Sequence, residues 1–123
     1  MRKFLLLLPC LLVAVACLAP GPEATVKRFY SAVEDGEIDK ATGLVSSRVI
    51  DLLGVDKLRR ALSEQALEIK KKGGIKSVKI DEMNEVGEIA EGKVTITYGD
   101  GTQETEEVKL IKEDGTWKVD AEK

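Results

Sequence analysis

The side chains in this chain that can do chemistry are carboxylates and tyrosines. Tyr98 precedes the turn Gly99-Asp100-Gly101, and Glu104 and Glu106 follow it. A carboxylate beside a tyrosine in an apolar pocket can abstract a proton while the phenol steadies the resulting oxyanion. Gln65 and Glu82 are further polar candidates for such a pocket, and Tyr30 and Trp117 supply aromatic surface to line it. The two aromatics also sit where a core residue would, and a buried Tyr30 hydroxyl needs a partner. No histidine occurs anywhere, so His-dependent dyads, triads and His-containing metal sites are excluded. No glycine-rich phosphate loop is present. The acidic pairs Asp81-Glu82, Glu106-Glu107 and Glu113-Asp114 do not reproduce a calcium loop. Neither a cofactor nor a metal is expected. Glu104 and Glu106 lie next to a hydrated loop, which makes them residues of a wet rim rather than tuned bases. The expectation is a protein without a catalytic residue.

The elements that position these side chains change character along the chain. Val26, Phe29, Tyr30 and Val33 follow the i, i+3, i+4, i+7 spacing of one buried helical stripe. That first helix starts near Glu23 and stops at Gly36. Asp39 can cap a short second helix bearing Ala41, Leu44 and Val45. Ser46-Ser47 breaks the pattern before Val49, Ile50, Leu52 and Leu53. A third helix covers about Asp56 to Lys72, with Leu58, Ala61, Leu62, Gln65 and Ile69 on one face. Gly73-Gly74 offers the positive φ that ends such helices. Lys70, Lys71 and Lys72 in its last turn complement the negative end of the helix dipole.

Beyond Gly74 the period drops to two. Val78 and Ile80 alternate with polar residues, as do Val94, Ile96 and Tyr98, then Val108 and Leu110, then Trp117 and Val119. Turn signals separate the runs at Glu85-Val86-Gly87-Glu88, Gly99-Asp100-Gly101 and Asp114-Gly115. A two-residue Asp100-Gly101 turn would place the apolar residues of its two strands on opposite faces. A three-residue loop pairs Ile96 with Glu104 and keeps Val94, Ile96, Val108 and Leu110 together, with Gly101 at the bulge position. An Asp114-Gly115 turn pairs Leu110 with Val119. This parity puts Tyr98, Glu104, Glu106 and Glu82 inside. Outside it leaves Lys79, Asp81, Thr95, Thr97, Thr105, Glu107, Lys109 and Lys118, with Ile111 the only large apolar residue there. So polar a face predicts a monomer or weak dimer. The fold class is α+β: three N-terminal helices packed on a curved four-stranded antiparallel sheet.

Ahead of the domain, Arg2 and Lys3 precede an apolar run from Phe4 to Val15, and Ala14-Val15-Ala16 places small residues before Cys17. This is a secretory signal layout. The cysteine after small residues resembles the bacterial lipobox, in which the thiol is acylated and becomes the new N-terminus. The same residues also satisfy ordinary secretory cleavage, and an uncleaved anchor is a third alternative. The run is shorter than the roughly 20 residues that span a bilayer. Lipidation of Cys17 also accounts for the cysteines. Cys10 leaves with the leader and Cys17 becomes a thioether, so no thiol pair remains for a disulfide. The expected division is a signal peptide at 1–16, a lipidated tether at 17–22 and one domain at 23–123. Leu18 is not the Asp that marks inner-membrane retention, so in a host with two membranes the outer one is expected. The formal charge is −3, and losing Arg2 and Lys3 makes the remainder more acidic. A net-acidic domain of interspersed signs excludes nucleic acid as an expected partner.

The stretch from Ala24 to Val33, then Gly36 and Asp39-Lys40-Ala41, resembles the opening of small bacterial lipoproteins in the nuclear transport factor two-like superfamily. Gly73-Gly74-Ile75-Lys76-Ser77-Val78 and Asp114-Gly115-Thr116-Trp117-Lys118-Val119 resemble its middle and end. The resemblance implies a cone, a curved sheet around a long helix with a pocket at the open end, and dimers in many members. It implies little about activity, since relatives include isomerases, cyclases and many non-enzymes. The leading expectation is a non-catalytic cell-envelope lipoprotein that binds a small apolar ligand or a protein partner. A docking or spacer module without a pocket ligand is one alternative. An isomerase-like or cyclase-like enzyme using an inner-face carboxylate is another.

Overall fold

The computed structural model describes residues 20–121. Among the described residues four helices precede four strands: α1 Pro22–Glu34, α2 Ile38–Gly43, α3 Ser47–Leu53, α4 Val55–Lys71, β1 Ile75–Val86, β2 Ile89–Tyr98, β3 Gln103–Glu113 and β4 Thr116–Asp120. The leader and Cys17 lie outside the described residues. The α+β class and the antiparallel sheet agree with the sequence reading, whereas the helix count does not.

The additional helix is α3, and the reason is capping. Ser46 does break the pattern, but it also begins a helix: its backbone is extended and its side chain accepts from the Val49 N–H. Serine is among the best residues for that position because its oxygen satisfies one of the free N–H groups of the first turn. Gly54, at φ 86°, ends α3 and admits α4 directly. Asp39 does not cap α2, which is preceded by Glu37 and has no side-chain cap. It pairs instead with Arg59 of α4. The long α4 ends as the sequence predicts, with Gly73 and Gly74 both at positive φ.

The sheet runs β1-β2-β3-β4, each pair antiparallel. Ile96 pairs with Glu104 and Leu110 with Val119, so both hairpin registers match the expected parity. The Tyr98 N–H donates to the Thr102 carbonyl across the three-residue loop, and Gly101 sits at φ 90°. The first hairpin departs from the expectation twice. β1 continues through Val86, leaving only Gly87-Glu88 as the turn. In addition, a register shift between Ile80 and Glu82 inserts an extra residue, so that Ile80 opposes Val94 while Glu82 opposes Lys93. A bulge of this kind reverses the parity of the strand residues beyond it. Glu82 is therefore on the outer face, not inside. Gly92 makes room for the bulge, since a Cβ there would collide with the Glu82 carbonyl.

The inner face is filled by Ala90, Val94, Ile96, Tyr98 and Leu110, with Val26, Tyr30 and Val33 from α1 and Leu58, Leu62 and Ile69 from α4. The outer face carries Ile89 opposite Ile111, so Ile111 is not the only large apolar residue on it.

Candidate functional site

Where the C-terminal half of α4 meets the loop end of the β2–β3 hairpin, an open groove of about 360 Å³ remains. Ala61, Glu64, Gln65, Glu68, Ile69 and Lys72 line one wall, and Tyr98, Glu104 and Glu106 the other. The helical residues recur at i, i+3, i+4, i+7, i+8 and i+11, which is one stripe of a 3.6-residue helix. Glu104 and Glu106 share a face because strand side chains alternate.

Each tyrosine is paired with one of these carboxylates. The Tyr98 hydroxyl donates to Glu104 Oε1 at 2.6 Å, and the Tyr30 hydroxyl donates to Glu106 Oε1 at 2.7 Å. Tyr30 is 6 % exposed, and it reaches Glu106 from beneath the groove wall. Lys72 lies 4.7 Å from the centre of the Tyr98 ring and its Nζ is 3.3 Å from Glu104 Oε2. Close packing sets this arrangement. A Cβ on Gly99 would collide with the Gly73 carbonyl, so the end of α4 and the β2–β3 loop can meet. The Asp100 N–H donates to the Lys72 carbonyl and the Gly99 N–H to the Gly74 carbonyl, each at 2.8 Å.

These contacts set the electrostatics. Burial, then the hydrogen bond to Glu106, pushes the Tyr30 hydroxyl well above the ordinary tyrosine range. Burial and the bond to Glu104 do the same to Tyr98. The Tyr98 hydroxyl, then Lys72, holds the Glu104 carboxyl below the usual carboxylate range. Both phenols thus remain neutral donors facing carboxylates. A carboxylate so stabilised in its charged form is a weak proton acceptor.

Of the residues singled out in the sequence, Gln65, Tyr98, Glu104 and Glu106 meet around the groove, and Tyr30 touches it through Glu106. Trp117 lies elsewhere, buried in the core with Lys112 Nζ 5.2 Å from its ring centre. The sequence alone does not single out Glu64, Glu68 and Lys72 as site residues. Their spacing around Gln65 marks them as neighbours of that residue, but only the fold shows that this edge of α4 faces β3. Among the described residues, no group of His, Cys, Asp and Glu is placed to hold a metal ion. No helix among them is long and apolar enough to cross a membrane.

Solved structures share this fold. A proposed NTF2-like transpeptidase from Campylobacter jejuni superposes with a TM-score of 0.72 at 22% identity, over 84% of this chain and 100% of the other. A SEC-C motif containing protein from Rhodopseudomonas palustris gives 0.58 at 16% identity, over 81% and 75% of the two chains. A proposed calcium/calmodulin-dependent protein kinase type II association domain from Thiobacillus denitrificans gives 0.56 at 16% identity, over 82% and 90%. At these identities the likeness is one of fold. No curated protein matches the sequence. The family model described as Domain of unknown function (DUF4878) matches residues 15–120, and the chain, built on an NTF2-like fold, belongs to that family.

Proposed function

We propose that this chain is a non-catalytic, lipid-anchored module of the bacterial cell envelope whose groove docks a protein partner. The observation that carries this reading is the pairing of both tyrosine hydroxyls with carboxylates, which leaves neither phenol aimed at an incoming substrate. An isomerase-like site would instead aim the phenol at a substrate oxygen and keep a basic carboxylate beside it. Docking is favoured over a small apolar ligand because Ile96, Leu110, Val26, Val33 and Val94 fill the interior. The remaining groove is open, and Glu64, Glu68, Glu104 and Glu106 face it against Lys72. Such a surface suits a partner that presents cationic or hydrogen-bond-donating side chains.

Cys17 supplies the anchor in this reading. Cys17→Ser is expected to move the protein from the membrane fraction to a soluble or unprocessed form. An unmodified N-terminus with unchanged membrane partition would overturn it. Partner docking is tested with a photo-crosslinking residue at Glu68 in the native host, followed by mass spectrometry of the adducts. A defined protein adduct that disappears with Glu104→Lys supports docking. A co-purifying small molecule without a protein adduct supports the ligand alternative instead.

A further inference from the structure

The end of the molecule opposite the groove carries exposed apolar side chains. Val86 and Ile89 form the last cross-strand pair of the β1–β2 hairpin, and they are 78 % and 43 % exposed. Ile111 lies opposite Ile89 on the same face, so the tip carries a small contiguous apolar row, the kind of patch that marks a contact surface.

The chain enters the domain at that same end. Gly21, Pro22 and Ala24 share a shallow depression with Met83 and Glu85 of β1. At its other end α1 presents Glu34 to the Ile75 N–H, at the start of β1, at 2.9 Å. The helix therefore runs antiparallel to the strand, with its N-terminus beside the hairpin tip. The groove is at the far end of the sheet, where β2 finishes at Tyr98. The ten residues of β2 set the two ends about 30 Å apart at a rise of roughly 3.3 Å per residue.

We propose that the β1–β2 hairpin tip is a second membrane contact, with Val86 and Ile89 seated in the bilayer surface and the groove facing away from it. This rests on the reading of Cys17 as the lipidated residue. Cys17 precedes Pro22 by few residues, a connection that spans at most about 18 Å when fully extended. So short a tether keeps the start of α1, and the tip beside it, within reach of the surface. The lipid chains hold the protein on the membrane, and the aliphatic pair sets its orientation. Glu23, Glu85, Glu88, Glu113 and Asp114 stand against Lys27, Lys112 and Lys118 at this end, so there is no basic excess to attract anionic headgroups. The contact is apolar, and its strength does not depend on the anionic lipid content.

The test uses the full, processed chain in phosphatidylcholine vesicles, with an environment-sensitive fluorophore on Val86→Cys or, at the groove end, on Thr102→Cys. The label at position 86 is expected to shift to the blue, and spin-labelled lipids should quench it several-fold more than the label at 102. The same quenching is expected in vesicles containing phosphatidylglycerol. Val86→Asp in a chain labelled at Ile89→Cys should weaken the quenching while the protein still floats with the vesicles. Flotation with equal, weak quenching at both ends overturns the tip contact and leaves the anchor standing. Failure to float, with an unmodified Cys17, overturns both.

Discussion

Asp120 shows how one side chain ties the helical layer to the sheet. It is 8 % exposed and accepts from the Ser46 hydroxyl at 2.7 Å and from Arg48 Nη2 at 2.9 Å. Burial raises the proton affinity of its carboxyl, but the bonds from Arg48 and Ser46 outweigh burial and hold it below the ordinary range. Its folded value therefore lies below the unfolded one of about 3.9. The stabilisation is present above about pH 4 and is lost as the pH falls towards the folded value. Asp120→Asn is expected to cost about 2–3 kcal/mol at neutral pH and to flatten the acid limb of the stability profile, as read by denaturant melts from pH 3 to 7. The tyrosines carry the opposite sign. Their folded values are raised, so their contribution is complete below about pH 10 and declines above it as the unfolded chain ionises. Tyrosinate absorbance should accordingly rise only with loss of the fold. Its appearance near pH 10 with the circular dichroism intact would contradict the buried pairs. Tyr30→Phe should cost about 1–2 kcal/mol by removing the bond to Glu106.

At the scale of elements, two junctions depend on single residues. Ser46 caps α3 and also donates to Asp120, so Ser46→Ala removes both contacts and should destabilise by about 2 kcal/mol in chemical denaturation. Gly92 faces the β1 bulge at a separation that admits no Cβ. Gly92→Ala should cost about 1–3 kcal/mol or straighten β1. The second outcome would be visible as a one-residue change in the amide contacts of Glu82 and Lys93. Both features explain where periodicity falls short. A serine pair reads equally as a break or as a cap, and a bulge leaves no mark on the alternation of Val78, Ile80 and Glu82.

For the molecule as a whole, the expected assembly follows from the outer sheet face. Val86, Ile89 and Ile111 form one apolar rung, while Asp81, Thr95 and Thr105 are joined through their side chains by hydrogen bonds. Stable interfaces bury roughly 1,200–2,000 Å² around an apolar centre, which one rung cannot supply. The domain at 23–123 should sediment as a monomer or weak dimer at micromolar concentration, and Ile111→Lys should leave that unchanged. A tight dimer dissociated by Ile111→Lys would reverse this account.

Periodicity, turn chemistry and the leader pattern are local properties, and they determined the α+β order, the hairpin registers around Gly101 and Gly115, and the expectation of lipidation at Cys17. They also placed Tyr98, Glu104 and Glu106 on one face, because alternation along a strand and the length of its turn suffice for that. Which groups actually pair was decided by packing. Tyr30 lies 76 positions from Glu106, and nothing in the spacing of either residue specifies the other. Lys72 reads as a cation at a helix end until Gly73 and Gly99 bring that end against the β2–β3 loop. Likewise, the β1 bulge sends Glu82 outward. Contacts between residues remote in sequence arise only when the helical layer closes on the sheet, and that closure turned isolated donors and acceptors into a groove.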